Sequence, residues 1–210
     1  MHTIRKTTIL LSVLLILQLN LSCKTQEATI ALKNNFTTEQ IVDLNRIIDF
    51  FKSEICVYQK DDFKTCFLQI PFKFTETSNN SFWTTINFEE QKRLYEQISE
   101  STFDEIWGFC KSTYFPSQTT AMDICAITNG KYQKYLSDLA KTNPRVAEYL
   151  RRIEASGDFN NFDIQYEQIL DDKKYFDLKD KNIQLIIAIH YLSMNDQFKR
   201  NAHLMNQKRP

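Results

Sequence analysis

The sequence predicts a mainly α protein, an irregular antiparallel helical bundle with one aromatic-rich loop or β-hairpin excursion at about 71–88. Three observations carry that fold class. Apolar residues recur every three or four positions in several separate segments, each behind a residue suited to capping a helix. Only Gly108, Gly130 and Gly157 are glycines, which excludes Gly-rich phosphate loops and dinucleotide fingerprints and argues against a turn-rich β architecture. Hydrophobic residues make up 42% and aromatic residues 13%, a composition that can fill an interior.

At the N-terminus, Arg5 and Lys6 precede an apolar run from Ile9 to Leu17, and small Ser22 precedes Cys23. Charged, apolar and small residues in that order form an export signal. The apolar run is about half the roughly 20 residues of a spanning helix, so a cleaved signal is the better reading. Residues Leu19, Asn20, Leu21, Ser22 and Cys23 resemble the lipobox of bacterial lipoproteins, with Asn20 where the pattern usually has an aliphatic residue. The resemblance implies diacylglycerol on the Cys23 sulfur and Cys23 as the first mature residue. It also implies a membrane held through that lipid, and Lys24, in place of an acid, points to the outer membrane. The alternative is ordinary cleavage to a soluble secreted chain. The expected organisation is a signal peptide over 1–22, a lipidated N-terminus and tether over 23–36, and a single helical domain over 37–210.

Thr37 and Gln40 have capping-box spacing ahead of Ile41, Leu44, Ile48, Phe51 and Ile55, which predicts a helix over about 38–57. Asn87 and Glu90 repeat the start signal, with Leu94 and Ile98 on one face. A start at Ser101 or Thr102 leads into Phe103, Ile106, Trp107 and Cys110, predicting a helix that ends near Ser112. Tyr132, Tyr135, Leu136 and Leu139 form a stripe over 131–141. Asn143 and Pro144 open another helix that stops at Gly157. Phe162, Tyr166 and Ile169 align in a further helical segment. The last helix, about 180–205, is apolar nearly all round at IQLIIAIHYL and is expected at the centre of the domain.

Residues 67–88 break the pattern. Pro71 should end a short helix through Phe63, Cys66, Phe67 and Ile70. Phe72 and Phe74 then alternate with polar residues, and Phe82-Trp83 follows a turn-like Ser-Asn-Asn-Ser. Phe72, Phe74, Phe82 and Trp83 are the candidate partner-binding residues, because exposed aromatic rings anchor protein interfaces. The competing expectation is that the rings cover the core.

With Cys23 consumed by lipid, Cys56, Cys66, Cys110 and Cys125 remain as an even set. In an oxidising compartment the local pairs Cys56–Cys66 and Cys110–Cys125 are expected to be disulfides, with buried free thiols as the alternative. No C-x-x-C occurs, and spacings of ten and fifteen suit no zinc site. The Asp158 stretch lacks a calcium loop's ligands: Phe162 stands at an oxygen position, Asp163 at the glycine and Ile169 at the final glutamate. His190 and His203 are about 220° apart around one helix and cannot form one site. No metal or cofactor is therefore expected, and no catalytic set is assigned.

Removing 1–22 leaves 24 basic against 26 acidic residues, a balance that gives no electrostatic attraction to nucleic acid. Glu89, Glu90, Asp104 and Glu105 are most simply solvated residues at helix starts, although a spaced carboxylate pair is all a glycosidase needs. The expected function is a non-enzymatic, membrane-anchored module that binds another protein or an envelope component, an immunity lipoprotein being one form. A carboxylate-dependent envelope hydrolase acting on glycans is the alternative.

Overall fold

Helices begin where a side chain meets the orphan amides of the first turn. In a computed structural model, which describes residues 28–56, 58, 60–74, 86–114, 118–159 and 175–202, Thr37 and Gln40 make both bonds of the capping box. They open α2 (Thr38–Ile55), which follows a short α1 (Ile30–Asn35). After α2 come α3 (Phe63–Phe74), α4 (Phe88–Gln97) and α5 (Glu100–Phe103). Strands β1 (Trp107–Tyr114) and β2 (Thr119–Ala126) pair antiparallel, with Trp107 opposite Ala126 and Phe109 opposite Ile124. Then α6 (Lys131–Ala140), α7 (Pro144–Ser156) and α8 (Lys181–Arg200) complete the described chain. The protein is mainly α-helical with one small two-stranded sheet.

The expected caps act as the spacing implies. Asn87 accepts from the amides of Glu89 and Glu90, and Asn143 from those of Arg145 and Val146, with Pro144 in the first turn of α7. Gly157 ends α7 at φ 70°, a left-handed position where a side chain would be strained, and its amide bonds to Ile153 O. Gly130 is needed for space, since a Cβ there would meet the Glu105 carbonyl oxygen at 2.6 Å.

The core forms around α8. Ile183, Leu185, Ile186, Ile187, Ala188, Ile189, Tyr191 and Leu192 are buried on every side of it, and the helix packs on α2, α4 and β2. Phe51 of α2 stacks on Tyr191 at 6.1 Å, and Phe67 of α3 lies 6.4 Å from the same ring. Burial of each such side chain stabilises by about 1.5–3 kcal/mol.

Three expectations are corrected. The tether does not reach Asn35: Thr29 Oγ1 donates to Asn182 Oδ1 at 2.6 Å, Leu32 is buried, and α1 packs against α6 and α2. Pro71 does not end its helix, which runs on to Phe74: proline's φ suits a helical turn, and the cost is the one hydrogen bond that an amide at 71 would have donated to the preceding turn. The helix expected from Ser101 to Ser112 is instead the single turn of α5 followed by β1. A hairpin that was not expected lies at 107–126. Within 71–88 the described residues end α3 and begin α4, while 75–85 fall outside the described residues. The helical segment expected at Phe162 to Leu170 also lies outside them, as do Cys23 and His203.

The structure pairs Cys56 with Cys66 and Cys110 with Cys125, at Cα separations of 4.6 and 6.0 Å. Both distances suit a disulfide, whose usual span is about 4.4–6.8 Å. The first closes the connection between α2 and α3, and the second crosses the hairpin near its base.

Candidate functional site

The described residues present an aromatic surface of their own, apart from the stretch expected at 72–83. Phe72 and Phe74 belong to α3, and Phe82 and Trp83 lie outside the described residues. An open cleft of about 600 Å³ lies instead where α4, α5 and β1 converge, lined by Tyr95, Glu96, Ile98, Glu100, Phe103, Asp104, Gly108 and Phe109. Its wall is a run of rings. Phe103 lies 5.3 Å from Tyr95, 5.5 Å from Trp107 and 5.8 Å from Phe109. Trp107 is buried, whereas Phe109, two residues along the same strand face, is 54% exposed. Both rings share one face of β1, and the strand carries that face from the core at Trp107 out to solvent at Phe109.

Buried polar bonds fix this wall from behind. Trp107 Nε1 donates to Ser193 Oγ at 2.7 Å, and Ser193 donates to Ile189 O. Tyr95 turns its ring edge to the cleft and its hydroxyl inward, where it accepts from Gln91 Nε2 and bonds to Asp196. Gln91 in turn donates to Leu192 O and accepts from Asn195 Nδ2 at 2.6 Å. Asp196 is fully buried and takes two bonds from Arg200, at 2.5 and 2.7 Å. Burial pushes its carboxyl above the usual range, although the bonds from Arg200 and Tyr95 oppose that rise. The Arg200 guanidinium then covers the Phe109 ring at 4.9 Å, continuing the chain of contacts out to the cleft.

A second network holds α5, which carries Glu100 and Phe103. Asp43 Oδ2 accepts from the amide and hydroxyl of Ser99 and from the hydroxyl of Thr102, while Oδ1 pairs with Arg46. Burial would raise the Asp43 carboxyl, but these bonds outweigh burial and hold it below its usual range. Gln40 Nε2 donates to Ser101 O, and Gln40 Oε1 accepts from Lys131. The residue that completes the cap of α2 therefore also ties α5 to α6.

Among the described residues, every charged side chain lining the cleft is acidic. Glu96, Glu100 and Asp104 are all exposed, so their carboxylates rim a largely apolar floor. The other acids noted in the sequence are paired: Glu89 with Lys92, Glu90 with Arg93 and Glu105 with Lys131. A smaller hollow of about 290 Å³ between α2 and α4 is mainly polar, and its Arg46 and Arg93 already hold Asp43 and Glu90.

His190 is fully buried, with Nδ1 3.5 Å from the Tyr149 hydroxyl. Burial lowers its pKa to about 3, so the imidazole is neutral within the core and is remote from any solvent-borne substrate. Among the described residues no group of three or more His, Cys, Asp or Glu could hold a metal, and no helix is long and apolar enough to cross a membrane.

The spacing of Phe103, Ile106, Trp107 and Cys110 concealed this cleft, because it satisfies a helical stripe as well as a turn followed by a strand. The signal that would have found it is a pair: WGFCKSTY and TTAMDICA are two eight-residue runs rich in aromatic and β-branched residues, separated by a Pro-containing turn. No family model matches the chain, and neither a curated protein nor a solved structure matches it.

Proposed function

We propose that the protein is an exported lipoprotein, held to a membrane through lipid on Cys23, that acts as a non-enzymatic binding module through the cleft of Tyr95, Phe103 and Phe109. The observation that carries the binding reading is Phe109 itself: a large ring, half exposed, braced from behind by Arg200 and Phe103. Rigid aromatic groups beside a cleft lose little freedom when a partner covers them, so they favour association. The export reading rests on the order of residues 1–23 and is supported by two cysteine pairs at bonding distance. Lys24 favours the outer membrane by resemblance to lipoprotein sorting.

The carboxylate-dependent glycan hydrolase is the second reading, favoured by the acidic rim. A general acid needs a dry setting that keeps its proton near neutral pH, whereas Glu96, Glu100 and Asp104 are exposed. The carboxyls that burial raises, partly buried Asp158 and fully buried Asp196, are bonded to Gln197 and Arg200.

A photo-crosslinking amino acid at position 109 tests the binding reading in cells, with the same group at exposed Val42 as control. A discrete adduct from position 109, absent from 42, is the expected result. No adduct at 109 would remove the binding site, and glycan turnover lost in Glu100→Gln would favour the hydrolase. Cys23→Ala should abolish lipid labelling, and unchanged membrane extraction in that variant would remove the anchor.

A further inference from the structure

The cleft joins two features that suit different parts of one occupant. Its floor is aromatic and aliphatic, and about 600 Å³ accommodates a bulky side chain with its flanking backbone. Its rim carries Glu96, Glu100 and Asp104, all exposed, and among the described residues no basic side chain joins the lining. Arg200 stands behind Phe109, but its charge is spent on Asp196, which it grips with two bonds. The field at the mouth is therefore negative. Such a rim repels the anionic headgroups of a membrane surface and attracts basic groups, most strongly at low ionic strength.

The route of the chain adds a second argument. Thr29 is bonded to Asn182 at the start of α8, whereas Asp196 and Arg200 support the cleft near its end. At 1.5 Å per residue, Asn182 and Arg200 are about 27 Å apart along the helix axis. Only residues 24–28 separate Cys23 from Thr29, and a fully extended link of that length reaches about 20 Å. The anchor and the cleft thus belong to opposite ends of α8, the longest helix among the described residues, and the mouth is left to a partner in the surrounding compartment.

We propose that the cleft takes a basic segment of a partner protein bearing one bulky apolar side chain, which enters beside Phe103 and Phe109 while flanking Lys or Arg residues meet Glu96, Glu100 and Asp104. This rests on the binding-module reading above and adds the chemistry of the partner. A partner of this class is selected by charge and by ring packing together, so removing either should weaken it.

The test uses the processed, anchored protein in nanodiscs of zwitterionic lipid and fluorescein-labelled peptides read by anisotropy. Lys-Lys-Trp-Lys-Lys should bind at least ten-fold more tightly than Lys-Lys-Ala-Lys-Lys or Glu-Glu-Trp-Glu-Glu. Phe109→Ala, and separately Glu96→Gln with Glu100→Gln and Asp104→Asn, should each weaken it ten-fold or more, and added salt should weaken the parent complex. Equal binding of the three peptides, or unchanged affinity in both variants, would overturn the proposal. An adduct at position 109 in cells together with no preference for the basic peptide would reject this partner chemistry and keep the binding module. Loss of the adduct as well would reject both.

Discussion

The two halves of α8 differ in what they bury. From Ile183 to Ile189 the helix buries aliphatic side chains, and its neighbours are apolar on all sides. From Ser193 to Asn201 it buries Ser193, Asn195, Asp196, Gln197 and Asn201, each bonded to the strands, to α4, to its own backbone or to Asp158. The apolar half needs only volume and can tolerate aliphatic exchange. The polar half needs directions, because each buried donor or acceptor must find its partner. The first half therefore supplies stability to the whole fold, while the second fixes how Tyr95, Trp107 and the hairpin stand. The cleft lies at the polar end.

The largest effect should follow from Leu185→Ala in the apolar half, with a loss of about 2–5 kcal/mol in chemical denaturation and no selective change at the cleft. A loss below about 1 kcal/mol would show that this half is not the stabilising one. Next, Asp196→Ala should cost about 3 kcal/mol, because it strands the Arg200 guanidinium and takes from the Tyr95 hydroxyl one of its two partners. The comparison sharpens if this variant also changes near-ultraviolet dichroism of the aromatic wall, which Leu185→Ala should alter only as far as it unfolds.

His190 supplies a smaller, pH-dependent effect in the apolar half. Its folded pKa of about 3 lies below the unfolded value near 6.5, so the unfolded chain takes up a proton that the folded chain refuses. Stability is complete above about pH 6.5 and declines as pH falls toward 3, by roughly 1 kcal/mol for each unit once the unfolded imidazole is charged. The carboxyls of Asp158 and Asp196 act in the opposite sense, since their raised pKa values favour proton uptake in the fold. Urea melts of parent and His190→Gln between pH 7 and 5 isolate the imidazole: the carboxyls act alike in both, so the parent should lose more stability on acidification than the variant. The smallest effect is expected from Phe109→Ala, which should change stability by less than about 0.5 kcal/mol, because the ring is more than half exposed.

The same division explains what was legible in the sequence. Caps are local, so Thr37 with Gln40, Asn87, and Asn143 with Pro144 and Gly157 mark helix ends that the structure reproduces. An apolar stripe is also local, which is why the middle of α8 reads directly as core. The hairpin is not local in that way. Trp107 and Phe109 become strand neighbours of Ala126 and Ile124 only through pairing, and no Asn-Gly or Gly-Gly step announces the turn between the strands. Asp196 reads as a surface acid on the last helix until Tyr95 and Arg200 are seen beside it. Of the rim acids the sequence singles out only Asp104 as a solvated residue and not Glu96 or Glu100, and the convergence of the three on one cleft depends on Asp43 holding α5 against α2.

The two cysteine pairs have a consequence for survival among proteases. A peptide bond cut between Cys56 and Cys66, where Tyr58 and Lys60 are exposed, leaves α2 and α3 covalently joined. A cut between Cys110 and Cys125, where Lys111, Thr113 and Thr120 are exposed, leaves β1 and β2 joined as well. Nicked chains would migrate as one species until reduced. Each loop is thus a place where the chain can be severed without being lost.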